Sequence, residues 1–223
     1  NAFGDRFFIR GFDARNDVFV DGVRDPAVSV RENFFTEQVE ILRGPASSFA
    51  GRGTAGGAIN IVSKKAALDR DFANVEASGS LDTTKRVTID VNKALSPLLA
   101  VRLNALLQDG KVAGRDHVDD DRKGLAASVV FKPIEPLTLT FDYVRTDLRG
   151  KPDFGAPYDR MSNRPFTEWL VPRNTWYGFV NRDFQKVRQE FITFGGEYRF
   201  NEHLTLSTRL RRSDSLLDYV GTL

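Results

Sequence analysis

The chain has 223 residues, with 32 basic and 30 acidic side chains, a net charge of +2 and no cysteine. Zero cysteines exclude a disulfide scaffold and a thiolate metal site, and basic residues scattered without a block exclude a nucleic-acid footprint. No apolar run reaches the roughly 18 residues of a membrane-spanning helix, which leaves a transmembrane β-barrel open, because its strands hide their apolar content in alternation.

Taken in order, Arg6 to Phe12 and Val18 to Val23 read as extended runs joined by the polar tip Asp13-Ala14-Arg15-Asn16-Asp17, and Asp21-Gly22 is a favoured turn dipeptide. A brief helical turn is expected at Asn33 to Glu37. Val39 to Leu42 and Ala58 to Val62 then flank a glycine-rich connection, in which Pro45 to Ala50 reads as a short helical turn. Gly51-Arg52-Gly53-Thr54-Ala55-Gly56 satisfies G-x-G-x-x-G, but a dinucleotide fingerprint needs a strand before the glycines and a helix after them. Here the glycines lead into a period-two strand. Gly44, Gly51, Gly53, Gly56 and Gly57 are therefore expected to be a framework supplying positive-φ turns and close backbone packing.

Residues 66–71 form a polar link, after which alternation takes over. Seven wall strands are expected: Phe72 to Ser80, Lys85 to Leu95, Leu99 to Gln108, Leu125 to Lys132, Thr138 to Tyr143, about Val187 to Phe200, and Leu204 to Arg211. In the second, Val87, Ile89 and Val91 oppose Thr88, Asp90 and Asn92; in the third, Leu103, Ala105 and Leu107 oppose Arg102, Asn104 and Gln108. Segments near ten residues suit tilted strands crossing a bilayer, whereas soluble sandwich strands run to about five or six. Connections at Ser96-Pro97, Pro133 to Pro136 and Asn201-Glu202 are tight, while Asp109 to Lys123 and Leu148 to about Lys186 are long. Short turns on one side and long loops on the other is an outer-membrane pattern, with the long loops at the cell exterior.

Phe8-Ile9-Arg10-Gly11-Phe12, Val20-Asp21-Gly22-Val23-Arg24 and Val39 through Lys64 resemble the plug domain of TonB-dependent outer-membrane receptors, and Arg10 to Asp17 followed by Val20 to Asp25 is most similar to the ferric-catecholate siderophore branch. The resemblance implies a mainly β chain: residues 1–65 as the C-terminal part of a plug domain, and 66–223 as the first seven or so antiparallel strands of a barrel. Barrels with a plugged lumen have about 22 strands, and an open sheet would leave edge groups unpaired in hydrocarbon. The chain is thus expected to be part of a longer receptor.

By the same resemblance, a ferric siderophore would bind between the plug tips and the exterior loops in the bacterial outer membrane. A TonB-type energy-transducing protein on the periplasmic side would then pull on the plug. Lipid and lipopolysaccharide would surround the wall. No cofactor is expected, the ferric iron being carried within the ligand. An anionic, aromatic catecholate suits guanidinium donors and aromatic faces, which makes Arg15, Asn16, Arg24 and Asp25 at the tips, and Tyr158, Trp169, Trp176 and Tyr177 in the long loop, the candidate ligand-binding residues. Arg10 and Arg43 are implied to latch the plug to wall glutamates beyond Leu223. The acidic run Asp116 to Asp121 reads as a solvated loop and His203 as structural. No G-x-S-x-G, H-E-x-x-H or P-loop pattern supports catalysis. Another cargo (a hydroxamate siderophore, haem or cobalamin), a passive porin-like barrel and a soluble dinucleotide-binding enzyme are the alternatives.

Overall fold

The computed structural model describes residues 4–25, 30–44, 56–81, 83–168 and 171–222. Two β assemblies dominate it. The first is a small four-stranded sheet in the order β4 (Val23–Arg24), β3 (Val18–Val20), β6 (Gly57–Ser63), β5 (Thr36–Arg43), preceded by a hairpin of β1 (Phe8–Ile9) and β2 (Phe12–Asp13). The second is a seven-stranded antiparallel meander, β7 (Phe72–Gly79), β8 (Lys85–Ser96), β9 (Leu99–Asp109), β10 (Asp120–Ile134), β11 (Leu137–Gly150), β14 (Phe184–Arg199) and β15 (Thr205–Val220). In the connection before β14, β12 (Tyr158–Asp159) pairs with β13 (Arg164–Pro165), and one 3-10 turn covers Phe166–Glu168.

The turns follow from sequence chemistry. Asp21 (φ 50°) and Gly22 (φ 77°) both take positive φ between the paired Val20 and Val23, as a two-residue hairpin with right-handed strand twist requires. Arg10 (φ 53°) and Gly11 (φ 81°) do the same between Ile9 and Phe12. The expected extended run from Arg6 to Phe12 is therefore broken, and Arg10 stands in a turn rather than on a strand. The helical turn expected at Asn33 to Glu37 is a single turn, closed by Thr36 N–H donating to Asn33 O at 2.9 Å; β5 then starts at Thr36, three residues earlier than expected. The turn places Phe34 and Phe35 in the core, where their rings meet edge-on at 5.4 Å. After the glycines comes strand β6, and no helix opens there, so the nucleotide reading has no structural support.

All seven expected wall strands are present in one antiparallel sheet. The last four run further than hydrophobic alternation indicated, to 15, 14, 16 and 16 residues. Many of the added outward-facing positions are charged, and opposite charges meet where Asp121 faces Arg149, Lys123 faces Asp147 and Arg145 faces Glu190, although Arg149 also faces Lys186, Glu190 faces Asp214 and Phe184 faces Val220. Opposite charges directly across a ladder stabilise it without apolar area, so a search for apolar periods ends too soon there. The long loops shrink accordingly to 110–119 and 151–183.

Facing follows the period of two. Leu103, Leu107, Leu125, Phe194, Leu206 and Leu210 are exposed on the outer face, where a barrel meets lipid. On the inner face one register row reads Asn92, Arg102, Ser128, Asp142, Thr193 and Arg211. The inner face is not polar throughout, however: Leu106, Ala126, Val144 and Phe191 turn inward and form one buried cluster with Val18, Val20, Phe34, Phe35 and Ile61 of the small sheet. That cluster makes the small sheet a plug seated in the wall.

Candidate functional site

The seat has a polar floor. The Asp21 carboxylate, buried under the Asp21-Gly22 turn, accepts from Ser63 N–H (2.9 Å), Ser63 Oγ–H (2.7 Å) and Lys65 Nζ (3.1 Å). Lys65 also donates to Asp142 of β11 at 2.6 Å, so one ammonium bridges plug and wall. Arg211 of β15 donates to Val20 O (2.9 Å), and Arg209 donates to Asp21 O. The strap that follows is held as well: Ala67 N–H donates to Asn92 Oδ1 at 2.9 Å, and Asn92 Nδ2 returns a bond to Ala67 O at 2.9 Å. Arg102 grips Asp90 through two 2.8 Å bonds and donates to Lys65 O at 3.1 Å. Burial pushes the Asp21 carboxyl up, but the Lys65 charge and the Ser63 bonds outweigh it, leaving it below the ordinary value.

Higher on the wall, Glu32 of the plug is buried between two guanidinium groups, Arg86 of β8 at 3.0 Å and Arg122 of β10. Asp25 accepts from Arg31 (3.0 Å) and from Gln189 of β14 (3.0 Å). Glu32 puts the acid on the plug and the bases on the wall, whereas the latch implied for Arg10 and Arg43 has the base on the plug. Those two arginines are exposed, Arg10 in its turn and Arg43 at the end of β5.

The plug tip is braced internally. Asp13 accepts from Arg15 N–H (3.0 Å), Arg15 Nη2 (2.9 Å) and Arg6 Nε (3.1 Å); the Arg15 amide bond, ahead of the small opposing effect of burial and with both guanidinium groups, holds its carboxyl below the usual range. Arg24 donates to Asn16 O (2.8 Å) and Asp17 (3.3 Å) and lies 5.1 Å from the centre of the Phe19 ring. Arg15 and Asn16 thus remain at the surface, Arg24 braces the tip, and Asp25 faces the wall.

The two long loops clasp each other. Arg115 of the first grips Asp153 of the second through Nε (2.8 Å) and Nη2 (2.6 Å), and its Nη1 donates to Arg173 O at 3.2 Å. Asn174 donates to Asp116 at 2.7 Å, which gives the acidic run a loop-bracing partner. Trp176 is buried beneath this clasp: its Nε1–H donates to Pro152 O at 3.0 Å, and Lys151 and His117 lie over or beside its ring. Tyr177 lines a hollow of about 170 Å³ with Phe154, Pro157 and Trp176, and its hydroxyl is enclosed without a hydrogen-bond partner among the described residues. Tyr158 is exposed, its hydroxyl donating to Asn163 at 2.8 Å. Trp169 lies outside the described residues.

Of the glycine framework, Gly56 and Gly57 are fixed by close approach. A Cβ on Gly56 would stand 2.5 Å from Ile9 O, and one on Gly57 (φ 140°) 2.0 Å from Leu42 O. Gly44 N–H donates to Gly56 O at 3.0 Å; Gly51, Gly53 and the helical turn expected at 45–50 fall outside the described residues. Glu32, Lys65, Arg86, Arg122 and Arg211 went unnoticed in the sequence, since each is an isolated charge until the two bodies meet.

A sheet greasy outside, packed on an inserted plug and carrying long loops at one end, defines the class: part of the wall of a stoppered transmembrane β-barrel. Residues 1–58 match the TonB-dependent receptor plug domain model. Over its full length the chain is 34% identical to the probable TonB-dependent siderophore receptor PiuA of Acinetobacter baumannii, covering 100% of this chain and 30% of that protein. It is 32% identical to the catecholate siderophore receptor Fiu of Escherichia coli, covering 98% of this chain and 30% of that protein. The crystal structure of PiuA superposes with a TM-score of 0.91 at 33% identity, over 98% of this chain and 32% of that one. The chain is therefore a member of the TonB-dependent receptor family, spanning about 30% of the length of the relatives it matches.

Proposed function

We propose that the protein is an outer-membrane receptor that imports a ferric siderophore of catecholate type, with a TonB-type protein on the periplasmic side supplying the energy. The observation that carries this reading is the plug seated in the wall beneath clasped loops, in a chain whose relatives bear siderophore-receptor names. A passive porin has no use for such a stopper. In this reading Arg15, Asn16 and Tyr158 meet the ligand from the exposed surface, while Trp176 and Asp25 hold the surfaces in place and Arg24 stiffens the tip. A latch from Arg10 and Arg43 to further wall carboxylates belongs to the same proposal. Iron travels as cargo within the ligand, and membrane lipid and lipopolysaccharide bathe the outer face.

Uptake of radiolabelled iron tests the proposal in iron-starved cells that lack their own siderophore receptors and express the full-length receptor. Ferric tris-catecholate should enter in preference to a ferric hydroxamate, haem or cobalamin, and deletion of TonB should abolish entry. Preference for another cargo, or entry independent of TonB, overturns it.

A further inference from the structure

We infer that Arg86 and Arg122 form an anion-binding site inside the lumen, which the Glu32 carboxylate fills while the plug is seated and which an anionic cargo fills when that segment moves. The inference rests on the siderophore reading of the preceding subsection.

Two wall strands converge on one plug carboxylate. Arg86 Nη2 donates to Glu32 Oε2 at 3.0 Å and to Asn33 Oδ1 at 3.3 Å, while Arg122 Nη1 takes the other oxygen, Oε1. The Glu32 side chain is only 4% exposed. The remaining groups on the pair are few: Gln108 Oε1 accepts from Arg86 at 2.9 Å, and Asp120 accepts from Arg122 Nε at 2.7 Å. With Glu32 in place the two arginines balance two carboxylates. With Glu32 withdrawn, Asp120 stays on Arg122, and Arg86 has no carboxylate left within ion-pair distance among the described residues. A partly desolvated cation without a partner is strongly unfavourable, and planar guanidinium donors are suited to catecholate, carboxylate or phosphate oxygens.

Seating alone would need a single arginine. Each arginine here also borders open space: Arg86 lines a hollow of about 260 Å³ with Lys64, Thr88 and one acid, Glu76, and Arg122 one of about 120 Å³ with Val118, Lys151 and the acids Asp119, Asp120 and Asp153. Glu32 thus stands as a tethered substitute for the cargo at a point with room on either side. Exchange of one anion for another keeps the arginines satisfied throughout, so the plug segment leaves without stranding charge.

The test removes the same ion pairs from opposite sides. In cells expressing the full-length receptor, Arg86→Gln and Arg122→Gln should each slow uptake of ferric tris-catecholate about tenfold, with cell-surface binding in de-energised cells unchanged. Glu32→Gln should match or exceed the wild-type rate. Equal loss in Glu32→Gln and the arginine variants, or wild-type rates in the latter, overturns the inference and reduces the cluster to a plug seat. A cargo-independent reading uses purified receptor and sulfate as the probe: calorimetry should detect sulfate binding to Glu32→Gln and none to the triple variant Glu32→Gln/Arg86→Gln/Arg122→Gln. No difference between those two overturns the inference even where catecholate uptake stands. Absence of all catecholate uptake by the wild type, with the sulfate difference present, rejects the siderophore reading and leaves the anion site standing.

Discussion

Phe34 of the plug occupies the space that a side chain at Gly124 of the wall would need: a Cβ built on Gly124 lies 2.5 Å from Phe34 Cε1 and 2.6 Å from Cζ. Phe34 also belongs to the buried cluster that joins both bodies, so this contact sets how deeply the plug can sit. Gly124→Val should displace the ring and cost about 1–3 kcal/mol as overpacking, whereas Phe34→Ala should cost about 3–5 kcal/mol by leaving a cavity. Chemical unfolding of the detergent-solubilised receptor measures both. A native midpoint for Phe34→Ala would mean that the apolar cluster does not hold the plug.

Lys65 bridges Asp21 and Asp142, whose side chains are 5% and 6% exposed while its own is 34% exposed. Lys65→Met leaves two buried carboxylates with less compensation, and removing one partner of a buried pair costs about 3–5 kcal/mol. Partial exposure of the ammonium puts the expected loss near the lower figure, about 3 kcal/mol. The triple change Lys65→Met/Asp21→Asn/Asp142→Asn should recover much of it, since neutral groups lose less on burial. Protease resistance of the plug reads the difference.

The Arg115–Asp153 clasp has a defined pH window. Burial raises the Asp153 carboxyl, and the Arg115 bonds, the Gly155 amide and the Arg115 charge more than reverse this, so its native value lies below the ordinary 3.8. A carboxyl depressed in the native state contributes stability that is complete above its ordinary value and is lost as pH falls through the native one. Protease sensitivity of the 151–183 loop should therefore be flat from neutral pH down to about 4 and rise only below that. Arg115→Gln should give the sensitive loop already at neutral pH. A rise beginning near pH 6 in the unaltered protein would assign the clasp to other groups.

Leu103 is 53% exposed and stands on the lipid face beside the inward Arg102 and Asn104. Leu103→Arg should cost about 2–4 kcal/mol near the bilayer midplane and lower the yield of folded barrel in the membrane fraction, while Leu103→Ile should be silent. The retained heat-resistant gel mobility of the folded barrel is the measurement. Equal yields for both variants would place this row outside the hydrocarbon.

The wall was readable from sequence where alternation was apolar. Val87, Ile89 and Val91 declare their face by themselves, because successive side chains on a strand point to opposite sides. Asp21-Gly22 declared its turn for the same local reason, since few residues tolerate positive φ. Where the strands pass into charge, at Asp120 to Lys123 and Arg145 to Arg149, the signal lapsed although the ladder continued, because cross-strand charge pairs stabilise it there.

Sequence alone thus determined a glycine-framed plug followed by antiparallel strands, with Leu103 and Leu206 turned away from the lumen. Only the tertiary structure decided what fastens the plug. Arg122 meets Glu32 across 90 residues of chain, and Arg211 meets Val20 O across 191. Phe191, one residue out of phase with Ile192, was needed inside to pack on the plug. Local periodicity says which way a side chain points, but a buried charge or ring is set by the partner that satisfies it, and that partner exists only once two distant segments have been brought together.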